Sequence, residues 1–175
     1  MTKDIDINPS TKVGDLLDAY PELEDELIRI APAFKKLKNP LLRKTVGKAA
    51  TMKHISSVGD IPLNELINKL RTAVGQPPSR DSYDDEDYFS AKPDWFSIDK
   101  IKISMDESKI EDKDTWTLTL VLREAKKIEK GEIIELITSF LPAPGIDRMR
   151  SLGYSVWATK SKNGMFKTYF LKKSS

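Results

Sequence analysis

The stretch Glu132-Ile-Ile-Glu-Leu-Ile-Thr-Ser-Phe-Leu-Pro-Ala-Pro144 decides how the second half of the chain folds. Glu132 to Thr138 is a short, strongly β-prone run, and Phe140-Leu-Pro-Ala-Pro144 breaks it. Pro144 suits the first turn of a helix that carries Ile146, Met149 and Leu152 on one face and stops at Gly153. Downstream, Tyr154–Lys160 and Met165–Lys172 flank Ser161-Lys-Asn-Gly164, and Asn-Gly between two β-rich runs predicts a hairpin. Upstream, Ile98–Ser104 alternates as a strand does. Asp114 is then placed to cap a helix through Trp116, Leu120, Ala125 and Ile128 to Gly131, with Lys126, Lys127 and Lys130 at its negative end. The resulting order is βαβαββ, with two helices forming a single layer on one sheet face.

With Asn163-Gly164 as a two-residue turn, Trp157 falls opposite Phe170 with Phe166 on the same side. Val156 then falls opposite Leu171 and Ala158 opposite Tyr169 on the other. Both stripes are apolar or aromatic, and the helices cover only one of them. The uncovered stripe is therefore expected to be buried by a second copy of the chain or by the helical domain.

The first half reads as short helices. Val13, Leu16, Leu17 and Tyr20 lie at helical spacing behind Ser10 or Thr11. Pro21 stops that helix and starts the next, whose face runs through Leu23, Leu27 and Ile30 to Ala31-Pro32. Leu41, Leu42, Thr45, Val46 and Ala49 form a face after Asn39-Pro40, a short segment spans Met52 to Val58, and Leu63, Leu66, Ile67 and Leu70 form the last helix. The fold class is α+β, an all-helical N-terminal domain (1–75) followed by an α/β domain (98–175).

Charge marks what lies between. Residues 1–75 hold 12 Lys/Arg and 10 Asp/Glu, residues 76–99 hold 2 and 7, and residues 100–175 hold 15 and 10, which gives the chain its net +2. Gln76-Pro-Pro-Ser-Arg-Asp-Ser-Tyr-Asp-Asp-Glu-Asp87 combines a Pro pair, small polar residues and an acidic cluster without apolar periodicity. Such a segment buries too little to repay its ordering entropy, so 76–97 reads as an acidic flexible linker. Between Glu26 and Asp60 lie Lys35, Lys36, Lys38, Arg43, Lys44 and Lys48 among other basic residues, with no carboxylate. That stripe is a candidate site for an anion or an acidic partner, or else the wet face opposite Leu42, Val46 and Ala49.

Composition removes many chemistries. The 175 residues include no Cys and one His, His54, so the chain itself carries no disulfide, thiolate metal site, iron–sulfur ligand or persulfide. No metal, no cofactor and no catalytic residue set is expected. No apolar run reaches the ~18 residues of a bilayer span, and Asp4, Asp6, Asp15 and Asp18 interrupt the start of the chain, which points to a cytoplasmic protein without a membrane partner.

Two resemblances follow. Thr11 through Gly75, above all Val13-Gly-Asp-Leu-Leu17, Tyr20-Pro-Glu-Leu23 and Phe34-Lys-Lys-Leu-Lys-Asn-Pro-Leu-Leu-Arg-Lys-Thr45, resembles a small helical domain of unknown function, some of whose members are associated with the hybrid cluster protein. Relatives with a Cys pair are called redox-disulfide domains; here Ala31-Pro-Ala-Phe34 has no Cys, so the resemblance implies a fold without that redox role. Residues 98–172 resemble the TusA/SirA-like fold through Leu122-Arg-Glu-Ala-Lys-Lys-Ile-Glu-Lys-Gly-Glu132, Phe140-Leu-Pro-Ala-Pro144 with Ile146-Asp147, and Gly153-Tyr-Ser-Val-Trp157 before Lys167-Thr-Tyr-Phe170. This resemblance implies a two-layer domain with a mixed four-stranded sheet. Where sulfur carriers place Cys-Pro-x-Pro, this chain has Asp114-Thr-Trp-Thr117, and a carboxylate cannot carry persulfide sulfur.

The function these readings support is a non-catalytic binding or adaptor protein, with a protein partner or second copy on the sheet face. The family company implies a prokaryotic redox or respiratory context. The alternative is a nucleic-acid or phosphate binder using the basic face, since the βαβαββ fold also occurs in a translation initiation factor; no Gly-rich phosphate loop or paired-aromatic RNA signature accompanies it. A third reading is an enzyme working through carboxylates such as Asp114 or Asp147. The candidate ligand site is the turn Phe140, Pro142, Pro144, Gly145 and Ile146, where a helix N-terminus following a strand offers N–H groups to an anion.

Overall fold

A computed structural model describes residues 4–173. The chain divides into two compact units, Met1–Glu86 and Asp87–Ser175. The first is helical and the second is built on a four-stranded mixed sheet, an α+β protein.

In the first unit, α1 (Val13–Ala19) ends before a 3-10 turn at Pro21–Leu23, and α2 (Glu24–Ile30) continues from it. A second 3-10 stretch, Pro32–Lys38, was not evident from helical periodicity. Its buried residues Phe34 and Leu37 are three apart, the period of that tighter helix. Helix α3 (Pro40–Ala49) starts where the Asn39 side chain accepts the Leu41 N–H. Helix α4 (Met52–Gly59) opens on a capping box in which the Thr51 N–H donates to His54 Nδ1 at 3.0 Å. The sole histidine is thus buried as a helix cap. Helix α5 (Leu63–Ala73) lays Leu63, Leu66, Ile67 and Leu70 into a core shared with Leu16, Leu27, Met52 and Ile55. Gly14 of α1 meets Gly47 of α3 so closely that a Cβ on Gly14 would sit 3.0 Å from the Gly47 carbonyl oxygen.

The acidic segment expected to be a loose linker is instead hydrogen-bonded along its length. Residues 77–86 run beside α5. The Asn64 side chain donates to the Tyr83 carbonyl (2.7 Å) and accepts its N–H (3.0 Å), and Asn68 accepts the Ser79 N–H (2.8 Å). Arg71 donates to the Pro77 carbonyl (2.6 Å), and Asp85 accepts the Leu63 N–H (2.8 Å), supplying the cap that Pro62 cannot. Composition reports the missing apolar anchor but not polar partners supplied by a distant helix.

In the second unit, β1 (Ile101–Asp106) and β2 (Ile133–Thr138) pair in parallel across α6 (Thr117–Ala125). Helix α7 (Ala143–Ser151) follows, then β3 (Ser155–Lys160) and β4 (Phe166–Leu171), giving the sheet order β1-β2-β4-β3. Ile98–Lys100, read as the start of a strand, is a 3-10 turn. Helix α6 begins later than expected: Asp114 and Thr115 lie in a turn whose N–H groups the Asp112 carboxylate accepts, and the helix opens at Thr117 behind Trp116 with no side-chain cap. It also ends at Ala125, and the chain reverses through Gly131 at φ +87°.

The hairpin register differs by one residue from the two-residue reading. Ser161 N–H donates to Met165 O (2.8 Å) and Gly164 takes φ +82°, so the loop is the three residues Lys162, Asn163 and Gly164. Trp157 therefore faces Tyr169, Val156 faces Phe170 and Ala158 faces Thr168. Because side chains alternate, this shift redistributes every residue of β3 relative to β4. Ile134, Leu136, Val156 and Phe170 join one face, where Leu118, Val121, Ala125 and Met149 of α6 and α7 cover them. Glu135, Lys167, Tyr169, Trp157 and Thr159 share the other.

Candidate functional site

The face away from the helices has two halves. At one end Trp157 stacks on Tyr169 with ring centroids 5.3 Å apart, and Phe96, from the segment leading into β1, packs on them at 4.8 and 4.5 Å. The Trp157 indole N–H donates to the Ser90 carbonyl at 3.1 Å, and Phe89 forms a parallel bridge with Ala158 on the edge strand. Residues just after the acidic cluster thus cover part of the stripe expected to need a second copy or the helical domain. The covering groups belong to the same unit.

The other half is mostly polar, with Ile137 beside Lys167, and no helix covers it. Glu135, with only 14% of its side chain exposed, accepts the Ser104 hydroxyl at 2.7 Å and the Tyr169 hydroxyl, and Lys167 Nζ stands 4.0 Å from its second oxygen. Thr159 and Asp106 border this network. Burial, the Glu135 hydrogen bond and its negative charge together push the Tyr169 hydroxyl up to about 12. A raised folded-state value keeps its stabilisation intact below pH ~10 and removes it as pH climbs from ~10 towards ~12, where unfolded tyrosine ionises first. Urea melts between pH 9 and 12 should show an alkaline loss in the native chain that is smaller in Tyr169→Phe, and Glu135→Gln should bring the 295 nm phenolate transition to lower pH. Equal alkaline limbs in native protein and Tyr169→Phe would refute this coupling.

This network was missed in the sequence. Its one signal was Glu135 itself, a carboxylate in the middle of Ile-Ile-Glu-Leu-Ile, which in a sheet with one covered face must point to the other.

The two stretches read from sequence as candidate sites are differently engaged. At the start of α7, Ala143, Pro144, Gly145 and Ile146 are buried, and Phe140 and Pro142 are half-buried. Ala143 N–H donates to Leu141 O and Ile146 N–H to Pro142 O, each at 2.9 Å, and Pro144 has no N–H. Two of the three amides of that turn are therefore consumed by the chain's own carbonyls, and Gly145 faces Leu118 of α6. In the basic stretch, Arg43 is half-buried between Glu24 (3.3 Å) and Asp18 (3.7 Å), and Lys38 lies 3.8 Å from Asp25. Lys35, Lys36, Lys44 and Lys48 are exposed. Carboxylates on α1 and α2, distant in sequence, thus meet the stripe that lacks any of its own.

Asp147 accepts the hydroxyl of buried Tyr88 at 2.8 Å, with the Arg150 guanidinium 5.8 Å from the same ring. Among the described residues no group of three or more His, Cys, Asp or Glu is arranged to hold a metal ion, and no helix is long and apolar enough to cross a membrane.

The fold and these surfaces define a two-unit α+β protein with a helical first unit. Residues 7–67, which span α1 to the middle of α5, match the family described as "Domain of unknown function (DUF1858)". No curated protein and no solved structure matches the chain.

Proposed function

We propose that the chain is a non-catalytic binding or adaptor protein that docks a protein partner on the open half of its C-terminal sheet. The observation that carries this reading is the network around Glu135. It is a carboxylate, a lysine and two hydroxyls held rigidly on central and edge strands, on a face that no helix covers. Rigid strands fix such groups more precisely than loops do. A partner with a polar surface of both charge signs fits it better than a second copy, because Phe96 already occupies much of the aromatic area an apolar dimer would use.

The resemblance of the βαβαββ unit to TusA/SirA-like domains supports a docking role, with the sulfur-carrier Cys replaced by Asp114. Of the carboxylates weighed for catalysis, Asp147 holds Tyr88, and Asp114 lies in the turn before α6, where its N–H donates to Asp112. Hydrogen bonds from Thr115 keep the carboxyl of that neighbouring Asp112 below the usual carboxylate range, which suits an ionised turn anchor. Against the nucleic-acid reading, the first unit taken to Glu86 holds 13 Lys/Arg and 14 Asp/Glu, so it is not a basic body.

A photo-crosslinking residue at Thr159, on the open face, should capture a discrete partner from native cell extract. The same residue at Arg148, exposed on α7, should not, and Lys167→Glu should abolish the Thr159 product. Equal capture from both positions, or none from Thr159, would overturn the proposal.

A further inference from the structure

The polar side of α5 reads a polypeptide backbone. Asn64, Asn68 and Arg71 stand at i, i+4 and i+7, a half-buried flank of the helix between the buried leucines and exposed Glu65, Lys69 and Thr72, and all three address main-chain groups of residues 77–83, Arg71 while also donating to Asp6 and Ile7. Asn64 engages both the N–H and the C=O of one residue, Tyr83, as one strand engages its neighbour. Two side-chain contacts complete the set: Asp85 on the Leu63 N–H, and Glu86 3.5 Å from Lys53 Nζ. We infer that this face is a docking groove for an acidic peptide from a partner protein that takes the same bent path, and that residues 77–86 occupy it as an internal stand-in.

Three observations support exchange. The helix contacts are addressed to backbone, so another chain that takes the same bend at the positions of Arg80 and Asp81 presents the same groups, and selectivity falls to carboxylates two and three residues beyond the one Asn64 holds. The occupying segment buries nothing: Ser79 and Tyr83 are half-buried, and the other residues from Pro77 to Glu86 are exposed. The bonds from Arg71 to Pro77 and from Lys53 to Glu86 are exposed and trade nearly evenly with water, and those from Asn64, Asn68 and Asp85 are only part-buried, while ordering ten residues costs entropy. Finally, the family match ends at residue 67, within α5 and before this segment begins. The surface lies on the first unit and is independent of the sheet face proposed above.

The test uses the full-length chain and a fluorescein-labelled peptide of the sequence Gln76–Asp87. Tyr83→Pro with Asp85→Lys removes the N–H that Asn64 accepts and reverses the charge at the α5 N-terminus, so the internal segment should no longer compete. That variant should bind the peptide at least tenfold more tightly than the native chain. Adding Asn64→Ala should reverse the gain, and a peptide carrying the same two substitutions should not bind. If the double variant does not fold, Asp85→Lys alone carries the test, with a smaller gain over native. No binding to a cooperatively folded variant, equal binding to native and variant chains, or binding unaffected by Asn64→Ala would each overturn the inference.

Discussion

Phe170→Ala should cost the second unit about 3–5 kcal/mol, the range for truncating a fully buried aromatic side chain. Phe170 is 1% exposed on a central strand, and its ring joins the cluster of Leu118, Val121, Ala125, Ile134, Leu136 and Met149 beneath both helices. The cavity it leaves is walled by a sheet hydrogen-bonded on both sides of β4, which limits collapse. Truncating its neighbour Leu171, half-buried on the opposite face, should cost much less. The pair also tests the hairpin register: in the two-residue turn Phe170 would share its face with Trp157, whereas the observed pairing sets it beside Val156 on the helix side. The readout is selective, because all three tryptophans, Trp95, Trp116 and Trp157, lie in this unit and their fluorescence reports its unfolding. A loss under 1 kcal/mol for Phe170→Ala, or an equal loss for Leu171→Ala, would contradict the assigned faces.

What was legible in the sequence was what local chemistry determines. Strand β2, helix α7 and the two hairpin strands lie within a residue or two of their expected bounds, because β-branched runs, Pro144 and Asn163-Gly164 each act over a few residues. The hairpin register was not, since it turns on whether Gly164 lies inside a two-residue turn or closes a three-residue loop in the left-handed region. The start of α6 was misplaced for a similar reason: Asp114 is an acceptable cap, but the chain folds it into a turn held by Asp112, and the helix opens at Thr117 with no side-chain cap. The site was less legible than the fold. Arg43 looked available until α1 and α2 supplied Asp18 and Glu24, and 77–86 looked loose until Asn64, Asn68 and Arg71 supplied its partners. A polar stripe at i, i+4, i+7 on α5 was present in the sequence, but solvent is the ordinary occupant of such a stripe, and only the fold shows a chain there.

Gly59→Ala should destabilise the first unit by about 1–3 kcal/mol, the cost of inserting a methyl group where packing leaves no room. A Cβ at Gly59 would lie 2.7 Å from the Ile30 carbonyl oxygen and 2.8 Å from its Cγ2, so the end of α4 would have to move away from the end of α2. The side-chain methyl can rotate aside; the backbone oxygen cannot move without shifting the chain between Ile30 and Ala31. Helix propensity acts in the opposite direction, favouring Ala over Gly by roughly 1 kcal/mol in a helix interior and by less at a final residue such as this one. Gly47→Ala isolates that opposing effect, because its new Cβ would meet Gly14 at an ordinary 3.5 Å in the interior of α3. That variant should be neutral or gain up to ~1 kcal/mol. The first unit has no tryptophan, so the loss in Gly59→Ala should appear in far-ultraviolet circular dichroism as helix melting ahead of the tryptophan transition. If Gly59→Ala and Gly47→Ala melt alike, α2 and α4 do not approach as closely as the Ile30 contact requires.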